Sequence, residues 1–200
     1  MKRYAFTISE VLVTLAVIGI VAMLTIPLVN HIIPNQDIVL TKKSLDTVQR
    51  NIQILTNNAD IYVDGTFDSF PSDVSAGDYT NYFCNSFVDQ LNIKGTVNCT
   101  SSGTSGSLSD VDDPDDIDDA CSGNIGDVAF KTTDGIRWYK MRGTFTEGEY
   151  NVICVKVSDE ANPFGIAIRE DGRTVAGSIL STCLDADPKT DRDADCPLYD

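Results

Sequence analysis

The chain has 200 residues, with 15 Lys and Arg against 30 Asp and Glu and a formal net charge of -15. That length suits one globular domain plus an anchoring element, and the charge excludes a nucleic-acid backbone as partner because phosphates are repelled. The single histidine, His31, excludes most histidine triads and multi-histidine metal centres.

The N-terminal segment reads MKRYAFTISEVLVTLAVIGIVAMLTIPLVNHIIP. Lys2 and Arg3 give it a positive start, and no residue of 11–29 is charged. A helix of that length spans roughly 28 Å, close to a bilayer core of about 30 Å. The positive end stays cytoplasmic and the C-terminal bulk lies outside. A secretory signal peptide predicts a small-x-small cleavage site after the apolar run, and none follows here. A plain single-pass anchor explains the length but not Glu10, and a buried core helix does not fit a segment apolar all round at the extreme N-terminus. A carboxylate at the edge of such a helix costs about 2–3 kcal/mol or less, so it calls for a partner charge. Cleavage between Ala5 and Phe6 creates one, an α-amine four residues before Glu10.

Residues 6–20, FTISEVLVTLAVIGI, resemble the prepilin-type cleavage and methylation signature of type IV pilins and of the pseudopilins of type II secretion systems. Glu10 is the fifth residue of the expected mature chain, where that family places its glutamate, and Gly19 and Pro27 fall where it often has a helix-loosening Gly and Pro. The resemblance covers about the first thirty residues. It implies a membrane-embedded prepilin peptidase that cuts after Ala5 and methylates the Phe6 amine; Ala5 stands where the family usually has Gly. It also implies self-assembly with other pilins, an inner-membrane platform and a cytoplasmic assembly ATPase as partners. The division is then a leader at 1–5, a transmembrane and filament-core helix at 6–35, and an extracytoplasmic globular domain at 36–200. The subunit sits in the inner membrane as a single-pass protein before assembly, and in a cell-surface or periplasmic filament afterwards.

Pro27 and Pro34 each remove a helical N–H, which predicts a kinked or loosened helix. Helical patterning resumes at Gln36. Ile38, Leu45, Val48, Ile52 and Leu55 draw one apolar stripe, and the pair Asn57–Asn58 followed by Gly65 ends the helix near 57–60. Residues 61–126 are rich in Gly, Ser, Asp and Asn, with aromatic islands at 67–70 and 79–87, and 100–108 reads as a flexible loop. Seven aspartates crowd 110–119, and their mutual repulsion favours an extended, solvated loop; calcium is the alternative reading.

A β rhythm follows at 128–132, 136–141, 150–157, 164–169 and 173–176, with Asp134–Gly135 and Asp171–Gly172 as hairpin turns. Short connections make the sheet antiparallel. The expected fold class is α+β, a long N-terminal hydrophobic helix packed on an antiparallel β-sheet, which is also the pilin-like roll that the resemblance implies.

All six cysteines lie beyond the apolar segment and none forms C-x-x-C, which favours disulfides in an oxidising compartment. Cys183 and Cys196 bracket an acidic loop, resembling the cysteine-closed C-terminal loop of many pilins. Cys84–Cys99 and Cys121–Cys154 are candidates for the rest, among the several pairings open to six cysteines. Asp191-x-Asp193-x-Asp195 has the alternation that begins a calcium loop, but lacks the sixth-position Gly and closing Glu of an EF-hand. Some pseudopilins bind calcium in a C-terminal loop, so calcium is the one cofactor the sequence raises. No hydrolase motif or nucleophile setting points to an enzyme. The expected function is a structural subunit, a pilin, minor pilin or pseudopilin; the alternative is a membrane-tethered binding module or adhesin that does not polymerise.

Overall fold

A computed structural model describes residues 8–32, 36–100, 103–185, 196 and 198, and of 24–32 the backbone alone. The chain begins with α1 (Ile8–Ile32), which runs unbroken through Gly19 and Pro27, and continues with α2 (Gln36–Thr56). Then come α3 (Tyr79–Val88), β1 (Gly106–Leu108), α4 (Pro114–Asp119), β2 (Phe130–Lys131), β3 (Arg137–Tyr139), β4 (Tyr150–Lys156), β5 (Phe164–Arg169), β6 (Thr174–Ala176) and α5 (Ser178–Asp185).

The sheet is antiparallel throughout, in the order β2-β3-β4-β5-β6. β4 is its centre. One edge of β4 pairs with β5 from Tyr150↔Arg169 to Val155↔Phe164, and the other edge is shared between β1 and β3. The hairpins turn at Gly135 (φ 102°) and Gly172 (φ 84°), left-handed positions that glycine occupies at little cost. The five expected strands are all present, somewhat shorter at the outer ones.

Both faces of the sheet are covered, so β4 and β5 are buried along nearly their whole length instead of alternating with solvent. On one face Ile153, Val155, Phe164, Ile166 and Ile168 pack with Val48, Ile52 and Leu55 of α2. On the other, Val152, Cys154 and Ala167 pack with Ile117 and Cys121 of the α4 segment. The irregular stretch before α3 feeds the first core with an aromatic cluster, in which Tyr62 packs edge-on against Phe67 and Tyr82.

Four expectations need correction. The helix on the sheet is α2, not the N-terminal one: the described side chains of α1 other than Ala22 lie exposed, with Ile8 at 82% and Met23 at 79%. Among the described residues no helix is long and apolar enough to cross a membrane. This overturns the expected long hydrophobic helix, and with it the single-pass inner-membrane location. The loop at 100–108 contains β1, which completes the edge of β4 at Tyr150–Val152. The acidic run at 110–119 is no extended loop but contains α4, because its tertiary anchors outweigh charge repulsion.

Those anchors are specific. Asp113 caps α4 by accepting from the Asp115 N–H at 3.0 Å, and Pro114 occupies the first turn, where its missing donor costs nothing. Ile117 is fully buried over β5, where a Cβ on Gly165 would lie 2.4 Å from the Ile117 carbonyl. Lys140, itself at φ 52°, donates to the carbonyl of Ala120 at the C-terminal end. Cys121 is bonded to Cys154 of β4.

Candidate functional site: the exposed helix and a polar cavity

Three disulfides close the domain: Cys84–Cys99, Cys121–Cys154 and Cys183–Cys196, with Cα separations of 5.8, 5.6 and 4.6 Å. No cysteine among the described residues is free. The first ties α3 to the loop after it, the second ties α4 to the sheet, and the third fastens the chain beyond α5, where Leu198 is buried.

The expected assembly residues fall on α1. Glu10 lies in its first turn, where a carboxylate favours the positive end of the helix dipole. Gly19 faces open space. Leu12, Val13, Leu15, Ile18 and Ile20 are each at least 60% exposed, and of the described side chains only Ala22 is half-buried. Together they make an exposed apolar surface along the helix. Ala5 and Phe6 of the expected cut lie outside the described residues, as do the side chain of Pro27 and all of Pro34. Asp191, Asp193 and Asp195 lie outside them too, and among the described residues no cluster of three or more His, Cys, Asp or Glu is arranged to hold a metal ion.

A second feature is a cavity of about 270 Å³ between α2 and the β2–β3 hairpin. Lys43 and Arg50 of α2 line it, together with Asp134 at the hairpin tip. Lys43 Nζ lies 2.8 Å from Asp134 Oδ2, and Arg50 Nη2 lies 3.8 Å from Asp46 Oδ2. Burial pushes the Asp134 carboxyl up, but hydrogen bonds from Lys43, Thr132 and the Ile136 N–H outweigh it and hold the group below the usual carboxylate range. Asn51 (3% exposed) and Trp138 (fully buried) also line the cavity. Asn51 Nδ2 and Trp138 Nε1 find no acceptor among the described residues.

No protein-family model, curated protein or solved structure matches the chain. The functional reading therefore rests on the exposed helix, the disulfide-closed domain and the cavity.

One half-buried carboxylate has a structural task. Asp118 Oδ1 accepts from the Gly165 N–H at 2.7 Å, while Oδ2 accepts from the Ile179 N–H at 2.7 Å and the Ser178 hydroxyl at 3.1 Å. It fastens α4 to β5 and to the N-terminus of α5. Burial raises its carboxyl above the usual range in spite of these bonds. Sequence reasoning missed Asp118 because it sits among six other aspartates, all exposed. The one usable signal was Ile117 beside it, the lone apolar residue of 112–119. The cavity was also missed. Its clue was polar Asn51 breaking the apolar stripe of α2 between Val48 and Ile52.

Proposed function

We propose that this protein is the structural subunit of a helical filament of the type IV pilin or pseudopilin kind, associating through α1. The observation that carries the reading is the apolar side chains of α1 standing exposed ahead of a closed, disulfide-bonded domain. Each large apolar side chain moved out of water contributes about 1.5–3 kcal/mol before the entropy cost of association. Copies stacking with their α1 helices in contact would repeat one heterologous interface, which generates an open fibre.

Glu10 sets the register in this reading, by pairing with the Phe6 amine of a neighbouring copy after cleavage behind Ala5. A prepilin peptidase, an assembly platform and an assembly ATPase are the partners it requires, and the subunit itself catalyses nothing. Support comes from the N-terminal signature and from a second helix that already satisfies the domain's own core, leaving α1 available.

The test is to replace Glu10 with Ala or Lys and follow incorporation into filaments alongside the protein's cellular level. Loss of incorporation at an unchanged level is the expected result; normal assembly with either variant would sink the pairing. Intact mass of the purified protein reads the cut directly, and a chain still carrying residues 1–5 would contradict processing. The alternative, a binding module that does not polymerise, draws its support from the cavity between α2 and the hairpin.

A further inference from the structure

One row of the sheet is made of cations. Phe130, Trp138, Val155 and Phe164 stand opposite one another across β2 to β5 and are buried in the first core. One residue along, Lys131, Arg137 and Lys156 stand opposite one another in the same way, so alternation turns their side chains to the other face. Beyond β2, the Lys94 N–H donates to the Lys131 carbonyl at 2.7 Å and Ile93 bridges to Thr132, which sets Lys94 at the end of the same row. Four of the chain's 15 basic residues thus lie side by side, over about 14 Å at the usual strand spacing. α4 packs on that face over β5 and β6. Lys94 is exposed and the other three are half-buried.

Like charges placed opposite one another repel, and one carboxylate answers them. Asp159 pairs with Arg137. That hydrogen bond and the Arg137 charge, with Lys131 and Lys156 adding to them, hold the Asp159 carboxyl below the usual range. Lys94, Lys131 and Lys156 make no ion pair among the described residues, and none joins the row to the aspartates of 110–119.

A local surplus of positive charge on a chain of net charge -15 attracts an anionic partner. The chain itself carries a matching surface. Asp110, Asp112, Asp113, Asp115, Asp116 and Asp119 are exposed about α4, which Ile117, Asp118 and the Cys121–Cys154 bond hold in place. A free polyanion would approach against the field of the whole chain. Copies gathered by α1 are already together, and at that effective concentration weak contacts count.

We propose that the row Lys94, Lys131, Arg137 and Lys156 of one copy docks on the acidic flank of α4 of the next, an inference that rests on association through α1. The two surfaces differ, so the contact is heterologous and repeats in an open sense. Exposed ion pairs are weak singly, so the contact orients copies that α1 holds together and does not join them alone.

The test follows assembly of the full-length chain by sedimentation in dilute and in concentrated salt. Reversing the row, Lys131→Glu with Lys156→Glu, should raise the concentration needed for assembly about tenfold in dilute buffer and far less at high salt. Reversing the flank, Asp112→Lys with Asp119→Lys, should do the same although it brings the net charge closer to zero; it spares the Asp113 cap and the Asp118 anchor. An equimolar mixture of the two should assemble within about twofold of wild type, because each reversed surface then meets its opposite. If the Glu pair lowers the melting midpoint, Lys131→Gln with Lys156→Gln must hinder assembly in its place. An assembling wild type unaffected by either reversal overturns the contact alone, as does a reversed flank that assembles better or a mixture no better than its components. Unchanged assembly with the reversed row, alongside lost binding of a single-stranded oligonucleotide, would give the row to a free polyanion and overturn the contact too. A wild-type chain that does not assemble removes the filament reading and this contact with it.

Discussion

α1 and α2 are neighbours in sequence and similar in length, 25 and 21 residues, yet among the described side chains only those of α2 enter the core. The difference lies in patterning. α2 carries its apolar residues as one stripe with Lys42, Lys43, Asp46 and Arg50 off it, so a single orientation buries the stripe and leaves the charges wet. The described part of α1 is apolar on every side, so no single face can satisfy it and a one-sided contact with the sheet would leave most of it in water. The sheet takes the helix that offers it one face, and a helix that is apolar all round offers none.

The sharpest way to break this comparison is to place a charge on each helix. Val48→Asp puts a carboxylate at a fully buried position and should cost more than about 4 kcal/mol, enough to unfold the domain in a thermal melt. Leu15→Asp, at a position 60% exposed, should leave the melting midpoint within the error of measurement and remove self-association in sedimentation. Equal destabilisation by both would mean that α1 belongs to the domain after all. Next in size is the staple between α4 and the sheet. Replacing Cys121 and Cys154 together with Ala opens a link between residues 33 apart and should cost about 3–4 kcal/mol in denaturant unfolding, without touching association through α1.

Asp118→Ala removes the acceptor of three hydrogen bonds and should cost about 1–3 kcal/mol. Its pH signature has a definite sign. Because the native carboxyl is raised, the folded state binds the proton more readily, so this group's contribution is fully present below the ordinary carboxylate pKa and is lost as pH rises through the native value. Asp134 slopes the other way. Its native carboxyl is lowered, so its contribution is present above the ordinary value near 3.8 and is lost as pH falls through the native one. Lys43→Ala should flatten that acid limb and cost about 0.5 kcal/mol at neutral pH, since Lys43 is 54% exposed and solvent screens the pair. A steeper acid limb in Lys43→Ala would refute the assignment.

How much of this was legible follows from where the determining interaction lies. α2 could be read from its stripe, and β2 to β6 from alternation and two Asp-Gly turns, because those signals are local. The disulfide partners were adjacent cysteines in sequence and could be named as candidates. β1 could not be read: Gly-Ser-Leu has no strand preference, and it becomes a strand only because the first half of β4 needs an edge partner. α4 was hidden by its own charge, and its decisive contacts are to Gly165, Ile179, Lys140 and Cys154, all distant in sequence. The cavity joins Asn51 to Trp138 across two elements, a pairing that no periodicity within either one reveals.

The fixing of α4 has a consequence for how copies can approach one another. Asp110, Asp112, Asp113, Asp115, Asp116 and Asp119 are all exposed around a helix that is pinned and stapled, so their charges are held on one flank of the domain instead of being dispersed by a moving loop. A like-charged neighbour feels that flank only within a Debye length, about 10 Å at 0.1 M salt. A second copy brought against this side by its own acidic flank would be repelled more in dilute buffer than at high salt, while a contact made through apolar side chains would keep its strength.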